Sequence, residues 1–218
     1  RHLVLEMGAS GPGHITYLTN IVSPDVAIEL CVGHAHVGGF GGFEGVAAAK
    51  AELIKGMRPG GPVILNTDDP NVEAMAPLAT GQIIRFSASG NPRADVRAVD
   101  VRLDRADRAS FTLVAPQGEA RIDLKIVGRH HVANALAAAA IGVHFGVTPE
   151  QVTHAIAAYV PTNNRSELKR TAKNTLVVDA YNANPTSMAA ALDNFQLIEH
   201  PHKMAILGGM RELGNASA

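Results

Sequence analysis

The sequence predicts an α/β fold, a mostly parallel sheet flanked by helices with a small antiparallel insertion. In the first part of the chain, short runs rich in Val, Ile and Leu alternate with helical patterns, as expected when helices cover both faces of a parallel sheet. From Ala94 to Val127 the pattern changes to alternation of apolar and polar residues, which suits an antiparallel edge with one wet face. Composition agrees: 46% of residues are hydrophobic and 18% charged, while aromatics are 4% and Trp is absent, so the core must be aliphatic and rich in alanine.

Taken in order, strands are expected at "HLVLEM" (2–7), "DVAIELCV" (25–32), "GPVILN" (61–66) and "QIIRF" (82–86). Helices are expected around 13–20, 43–57 and 70–79. The third carries an Asp cap and a first-turn Pro in "TDDPNVEAM". "ADVRAVDVRL", "SFTLVAP" and "ARIDLKIV" form the antiparallel part, with "PQG" as a turn between the last two. A helix follows from His131 to a stop at Gly146. Another starts at "TPEQ", where Thr148 and Gln151 complete a capping box around Pro149. The polar break "VPTNNRS" (160–166) marks a boundary between domains at 1–162 and 163–218. Beyond it, "NTLVVDAYN", "PTSMAAALDNFQLI" and "KMAILGG" read as strand, helix and strand, too little for a domain alone.

Charge narrows the partners. The net charge is −1, from 19 basic and 20 acidic residues, which leaves no footprint for nucleic acid or anionic lipid. No apolar run approaches the roughly 20 residues of a membrane span, and nothing at the start reads as a signal peptide. One cysteine, Cys31, allows no internal disulfide and suits a reducing cytoplasm. The chain opens without Met, almost inside a strand, as a piece of something longer would.

Candidate chemistry gathers where strands end. On a helical wheel Phe43, Val46, Ala47, Leu53, Ile54 and Met57 share one stripe, and Lys50 lies at its centre; Glu44, Glu52 and Lys55 share the opposite face. An ammonium there either reaches the rim, pairs with a structural carboxylate, or faces a charged ligand or modification. Glu6 ends the first expected strand, and His34 and His36 follow the second, at the edge where parallel sheets bind ligands. Glu6, His36 and Lys50 could together hold a divalent metal beside phosphate oxygens, although a His in a Gly-rich turn is as readily a loop residue. The glycine-rich stretches match neither the Walker phosphate loop nor the dinucleotide fingerprint. A second cluster is "VVDAYNANPTSM". Asp179, Tyr181, Asn182 and Asn184 crowd a turn before a helix, either as Asx caps or as a ligand edge that Arg165 could reach.

In their order, "LEMGASGPGHI", "VGHAHVGGFGG", "LNTDDP", "GRHHVANALAAAA", "NNRSE", "DAYNANPTSMAAAL" and "LGGMRELG" resemble the Mur ligases. The resemblance covers essentially the whole chain. It implies a P-loop-like central ATPase domain followed by the start of a Rossmann-like C-terminal ligase domain. It also implies ATP and Mg²⁺ as cofactors and amide-bond synthesis through an acyl phosphate. "DAYNANPTSM" favours the branch that adds D-alanyl-D-alanine to UDP-MurNAc-tripeptide in a bacterial cytoplasm, as a monomeric parent enzyme. By motif, Glu6 and His36 match magnesium ligands, and Lys50 matches a carbamylated lysine that supports a metal. His130 and Asn134 match adenine-side contacts, and Arg165, Asp179, Tyr181 and Asn182 match residues closing over nucleotide and substrate. His36, Lys50 and Arg165 would be the catalytic set.

Departures from the pattern are Cys31 for Asn, Gly39 for an acidic residue, His14 for Glu or Asp, His131 for Asn and Gly209 for Asp. The family's phosphate loop would precede Arg1, so this chain alone is expected to be inactive. Two other readings stay open: a folylpolyglutamate- or cyanophycin-synthetase-like ligase, and a non-catalytic nucleotide-binding scaffold.

Overall fold

The computed structural model describes residues 2–33, 37–105, 107–160 and 167–210. Among them is a mixed six-stranded sheet in the order β1-β2-β3-β4-β5-β6, from Ala27–Glu29 (β1), Val63–Asn66 (β2), Ile83–Ser87 (β3), Val96–Leu103 (β4), Arg108–Ala115 (β5) and Gly118–Val127 (β6). A separate two-stranded sheet joins Glu167–Arg170 (β7) and Thr175–Val178 (β8). Two compact units result, one from Arg1–Ile84 and one from Arg85–Arg211.

In the first unit β1 and β2 run parallel, Ala27 opposite Val63 and Glu29 opposite Leu65. Helices His14–Ile21 (α1) and Phe43–Gly56 (α2) pack together, and α2 covers β1. Val46, Ala49, Ile54 and Met57 meet Ala27, Val63, Leu65 and Val72 in an aliphatic core. The expected stripe of α2 is therefore the one buried. Gly56 lets α1 approach, because a Cβ there would strike the Thr19 side chain. Gly39 is equally constrained. A side chain there would meet the Ser10 carbonyl, so the acidic residue of the family pattern does not fit this backbone.

Glu52 overturns its wheel position. It reaches α1 and accepts hydrogen bonds from Gly13 N at 2.8 Å, Thr16 N at 2.9 Å and Thr16 Oγ1 at 2.9 Å. The start of α1 has no cap of its own, and an acid at a helix N-terminus satisfies its free amides and its dipole. Two further expectations change. Residues 2–7 form no strand; Leu3 and Val4 stand 76% and 86% exposed, without a ladder beside them among the described residues. The third helix is short, Pro70–Glu73 (α3), then a 3₁₀ turn at Ala76–Leu78, because Pro77 cannot donate to a continuing helix. Its cap is as expected: Asp69 accepts from Asn71 N and Val72 N.

In the second unit β3 pairs parallel with β4, Phe86 opposite Val96, and β4–β5–β6 run antiparallel through a two-residue turn at Pro116 and Gln117. The antiparallel part thus continues the sheet as its edge, as the change of pattern from Ala94 to Val127 led one to expect. Helix His131–His144 (α4) covers β4, β5 and β6, and Pro149–Ala158 (α5) lies on β6. Phe86, Phe111, Leu113, Ile122 and Leu136 are wholly or almost wholly buried there. The Thr148–Gln151 capping box forms as expected. Asp107, at φ 58° in the β4–β5 turn, is 1% exposed, and its carboxylate has no partner among the described residues. Burial first, and Asp104 second, push it above the usual carboxylate range.

The end of the chain departs furthest. β7 was not expected and pairs antiparallel with β8, while residues 203–209 form no strand, Met204 and Ile206 being 82% and 91% exposed. A strand needs a neighbour for its amides, and among the described residues 203–209 has none. Helix Pro185–Leu197 (α6) begins at an Asn184–Ser187 capping box.

Candidate functional site

Glu29 is the last residue of β1, so its side chain sits at the carboxyl edge of the parallel β1–β2 pair. It points inward with Ala27, toward α2. Lys50, from the buried stripe of α2, places Nζ 3.8 Å from Glu29 Oε2; the lysine side chain is 35% exposed and the glutamate 5%. Lys50 thus lies beside a buried carboxylate while keeping one side toward solvent. Burial raises Glu29 to about 7, against the pull of Lys50, which lowers it.

The segment after β1 is tied down around this pair. Asp69 Oδ2 accepts from Val32 N at 2.7 Å, and Asn66 Nδ2 donates to the Leu30 carbonyl at 2.8 Å. Cys31 is exposed as a residue, but desolvation of its thiol pushes the pKa up, with Lys50 pulling down and Asp69 and Glu29 adding to the rise. Glu29, Lys50, Cys31 and Asp69 thus form one electrostatic cluster.

Glu29 escaped the sequence reading, yet its signal was there. An acid at inward parity within "DVAIELCV" and a lysine at the centre of the apolar stripe of α2 are opposite charges on facing surfaces. Of the residues expected to grip a metal, Glu6 is exposed in the segment before α1, while His36, like His34, lies outside the described residues. Among the described residues no three His, Cys, Asp or Glu side chains are grouped to hold a metal ion.

The second cluster lies wholly in the second unit. The rings of His130 and His131 meet at 4.0 Å between centroids, tilted by 41°, where α4 begins. His131 Nδ1 lies 3.3 Å from Asn134 Nδ2, one turn along the helix, and its Nε2 is buried without a partner among the described residues. Burial drives His131 down to about 4, helped by His130, so the ring is neutral at pH 7. Burial also lowers His130, while Asp179 pulls it back up, and Asn194 Nδ2 lies 3.5 Å from its Nδ1. Residues from "GRHHVAN" and from "DAYNANP" therefore share one electrostatic neighbourhood. Asn134, Tyr181 and Asn182 are exposed. The Asn-rich turn also does the local work expected of Asx residues: Asn184 caps α6, and Asn182 Oδ1 accepts from Ala183 N. Arg165 lies outside the described residues.

An orphaned imidazole nitrogen beside the Asn134 and Asn194 amides suits a ligand with hydrogen-bonding edges, such as a nucleotide base. Comparison with known proteins gives this chemistry a context. The Mur ligase middle domain matches residues 1–142, and the Mur ligase glutamate ligase domain matches 164–218. The chain is 41% identical to the UDP-N-acetylmuramoyl-tripeptide–D-alanyl-D-alanine ligase of Mycobacterium tuberculosis, over 98% of this chain and 43% of that protein. The corresponding ligase of Bacillus subtilis is 35% identical, over 97% of this chain and 45% of its own length. A crystal structure of MurF from Acinetobacter baumannii superposes with a TM-score of 0.88 at 34% identity, covering 96% of this chain and 45% of that one. MurF from Thermotoga maritima in complex with ADP gives 0.83 at 25% identity, covering 97% and 48%. The chain thus spans less than half the length of the relatives it matches, and the two domain matches fall in the same order as its motifs. It belongs to the Mur ligase family.

Proposed function

We propose that the chain supplies the nucleotide-handling part of an ATP-dependent ligase that joins D-alanyl-D-alanine to UDP-MurNAc-tripeptide in peptidoglycan precursor synthesis. The observation that carries this reading is the meeting of His130 with Asp179 and Asn194, which draws the "GRHHVAN" and "DAYNANP" motifs into one neighbourhood. The printed names of the relatives supply the substrates. On this reading Asn134 and His130 face the base, Asp179, Tyr181, Asn182 and Arg165 close over the nucleotide and substrate, and Glu6, His36 and Lys50 serve the phosphate end. ATP would arrive with Mg²⁺, whose charge offsets crowded phosphate oxygens. The protein's own part is positioning and electrostatics. Amides and an imidazole hold the base, cations hold the oxygens, and the acyl carbon is presented to the incoming amine.

The boundary at 162–163 then separates a central ATP-binding domain from the start of a C-terminal ligase domain, with the family matches ending and beginning on either side of it. The same reading takes the parent enzyme as a monomer of the bacterial cytoplasm. Among the described residues no helix is long and apolar enough to cross a membrane. The test is phosphate release by the full-length ligase. It should require ATP, UDP-MurNAc-tripeptide and D-alanyl-D-alanine together. Turnover of a folate with glutamate, or nucleotide binding without any turnover, overturns the reading.

A further inference from the structure

Asp107 is buried where a carboxylate finds nothing to hold. It is 1% exposed, and neither carboxylate oxygen has a partner among the described residues. The adjacent cation is already taken. Arg108 gives its side chain to Asp104 Oδ2 at 2.6 and 2.8 Å, and its amide to Asp104 Oδ1 at 2.9 Å. Arg102, Arg105, Lys125 and Arg129, on the strands and turns around Asp107, are exposed, and His130 is engaged with Asn194 and Asp179. An anion with neither water nor a cation is costly, which favours the neutral acid. The backbone of the same residue is fully used. Asp107 N donates to the Asp104 carbonyl at 2.9 Å, Asp104 N to the Arg108 carbonyl at 3.0 Å, and Gly128 N to the Asp107 carbonyl at 2.9 Å. Gly128 in turn lies against His130 and Asn194, since a Cβ there would strike the imidazole and the amide.

We propose that Asp107 is a proton-operated latch between the β4–β5 turn and the start of α4. With its carboxyl neutral, the turn closes and the Asp107 carbonyl holds Gly128. When the carboxyl releases its proton to solvent, the carboxylate must reach water. The turn carries it outward, the hydrogen bond from Gly128 breaks, and His130 and Asn194 lose the backbone they pack on. The latch is closed in acid and opens on the alkaline side, because the folded chain keeps a proton that the unfolded chain releases. Its contribution to stability is complete below the ordinary 3.8 and is lost as pH rises through the higher folded value. Only the consequence for nucleotide binding rests on the ligase reading.

The test is a pH titration by NMR of the full-length protein, labelled with ¹³C at aspartate carboxyls and ¹⁵N at glycine. The Asp107 carboxyl should titrate above 3.8, and the Gly128 amide resonance should move with the same midpoint. Asp107→Asn keeps the shape without the charge, and Asp107→Gly suits the φ of 58° and removes the carboxyl altogether. In either variant Gly128 should stay at its acid position through that range. An Asp107 carboxyl that titrates at or below 3.8 overturns the proposal, and so does a Gly128 amide that ignores it. A Gly128 movement that persists in both variants also overturns it, by assigning the response to His130. The wild-type titration needs no substitution, so it decides the matter even if neither variant folds. For the nucleotide, the ratio of ATP affinities between wild type and Asp107→Asn should change by about fivefold across the midpoint. A constant ratio overturns the coupling to α4. If Gly128 follows Asp107 but the full-length protein binds no ATP at any pH, the latch stands and the ligase reading fails.

Discussion

Glu29 in the first unit and His131 in the second are both ionisable groups withdrawn from water, and their surroundings treat them in opposite ways. Glu29 has a cation within 3.8 Å and is fixed by a strand end. His131 has a second imidazole tilted against it and a nitrogen with no partner among the described residues. Burial favours the neutral form of both, raising the acid to about 7 and lowering the base to about 4. The pair at Glu29 resembles a permanent feature of the fold, while the open nitrogen of His131 resembles a socket waiting for a ligand.

The difference should be visible as two pH dependences of opposite sign. Glu29 titrates higher in the folded chain than its ordinary 4.5, so the folded state holds a proton that the unfolded state has released. Its stabilising contribution is complete below 4.5 and is lost as pH rises through about 7. Glu29→Gln should remove that loss, about 3 kcal/mol across the window, read as a flatter dependence of the urea midpoint on pH. Lys50, Asp69 and Cys31 remain around the site in the variant. A slope unchanged by the substitution would mean that Glu29 is not held out of water.

His131 runs the other way. Its folded value lies below the ordinary 6.5, so its contribution is complete above 6.5 and is lost as pH falls through about 4. Between pH 7 and pH 5 the second unit should lose about 2 kcal/mol that His131→Asn does not lose. If a nucleotide base takes the open nitrogen, saturating ATP should shift the imidazole resonances of His131. Loss of acid sensitivity without any response to ATP would confine His131 to a structural role.

The contrast also shows what could be read before any coordinates. The sheet, the long helices and the Thr148 and Asp69 caps follow from periodicity and cap chemistry, which are local. Residues 2–7 and 203–209 carry the same apolar run as a strand, but a strand exists only with a neighbour, and periodicity does not report neighbours. Lys50 was legible as an anomaly because a charge interrupted an apolar stripe. Glu29 went unread because its partner lies on another element. His130 and Asn134 were found by motif, whereas the proximity of His130 to Asp179 and Asn194 depends on the fold and spans more than forty residues of sequence.

A third acid sharpens the comparison because it is neither buried like Glu29 nor paired with a side-chain cation as its main support. Glu52 loses some hydration at the α1–α2 contact, yet the amides of Gly13 and Thr16, the Thr16 hydroxyl and Lys55 more than compensate, and its carboxyl titrates below the usual range. A lowered acid contributes stability above its unfolded value and loses it as pH falls through the folded one, the reverse of Glu29. Glu52→Gln retains one acceptor and forfeits the charge at the helix start, so it should cost about 1 kcal/mol at neutral pH and nothing in strong acid. The measurement is the urea midpoint of the variant against wild type at both pH values. An equal deficit at both would assign the loss to packing between α1 and α2, and the helix terminus would then owe nothing to the charge.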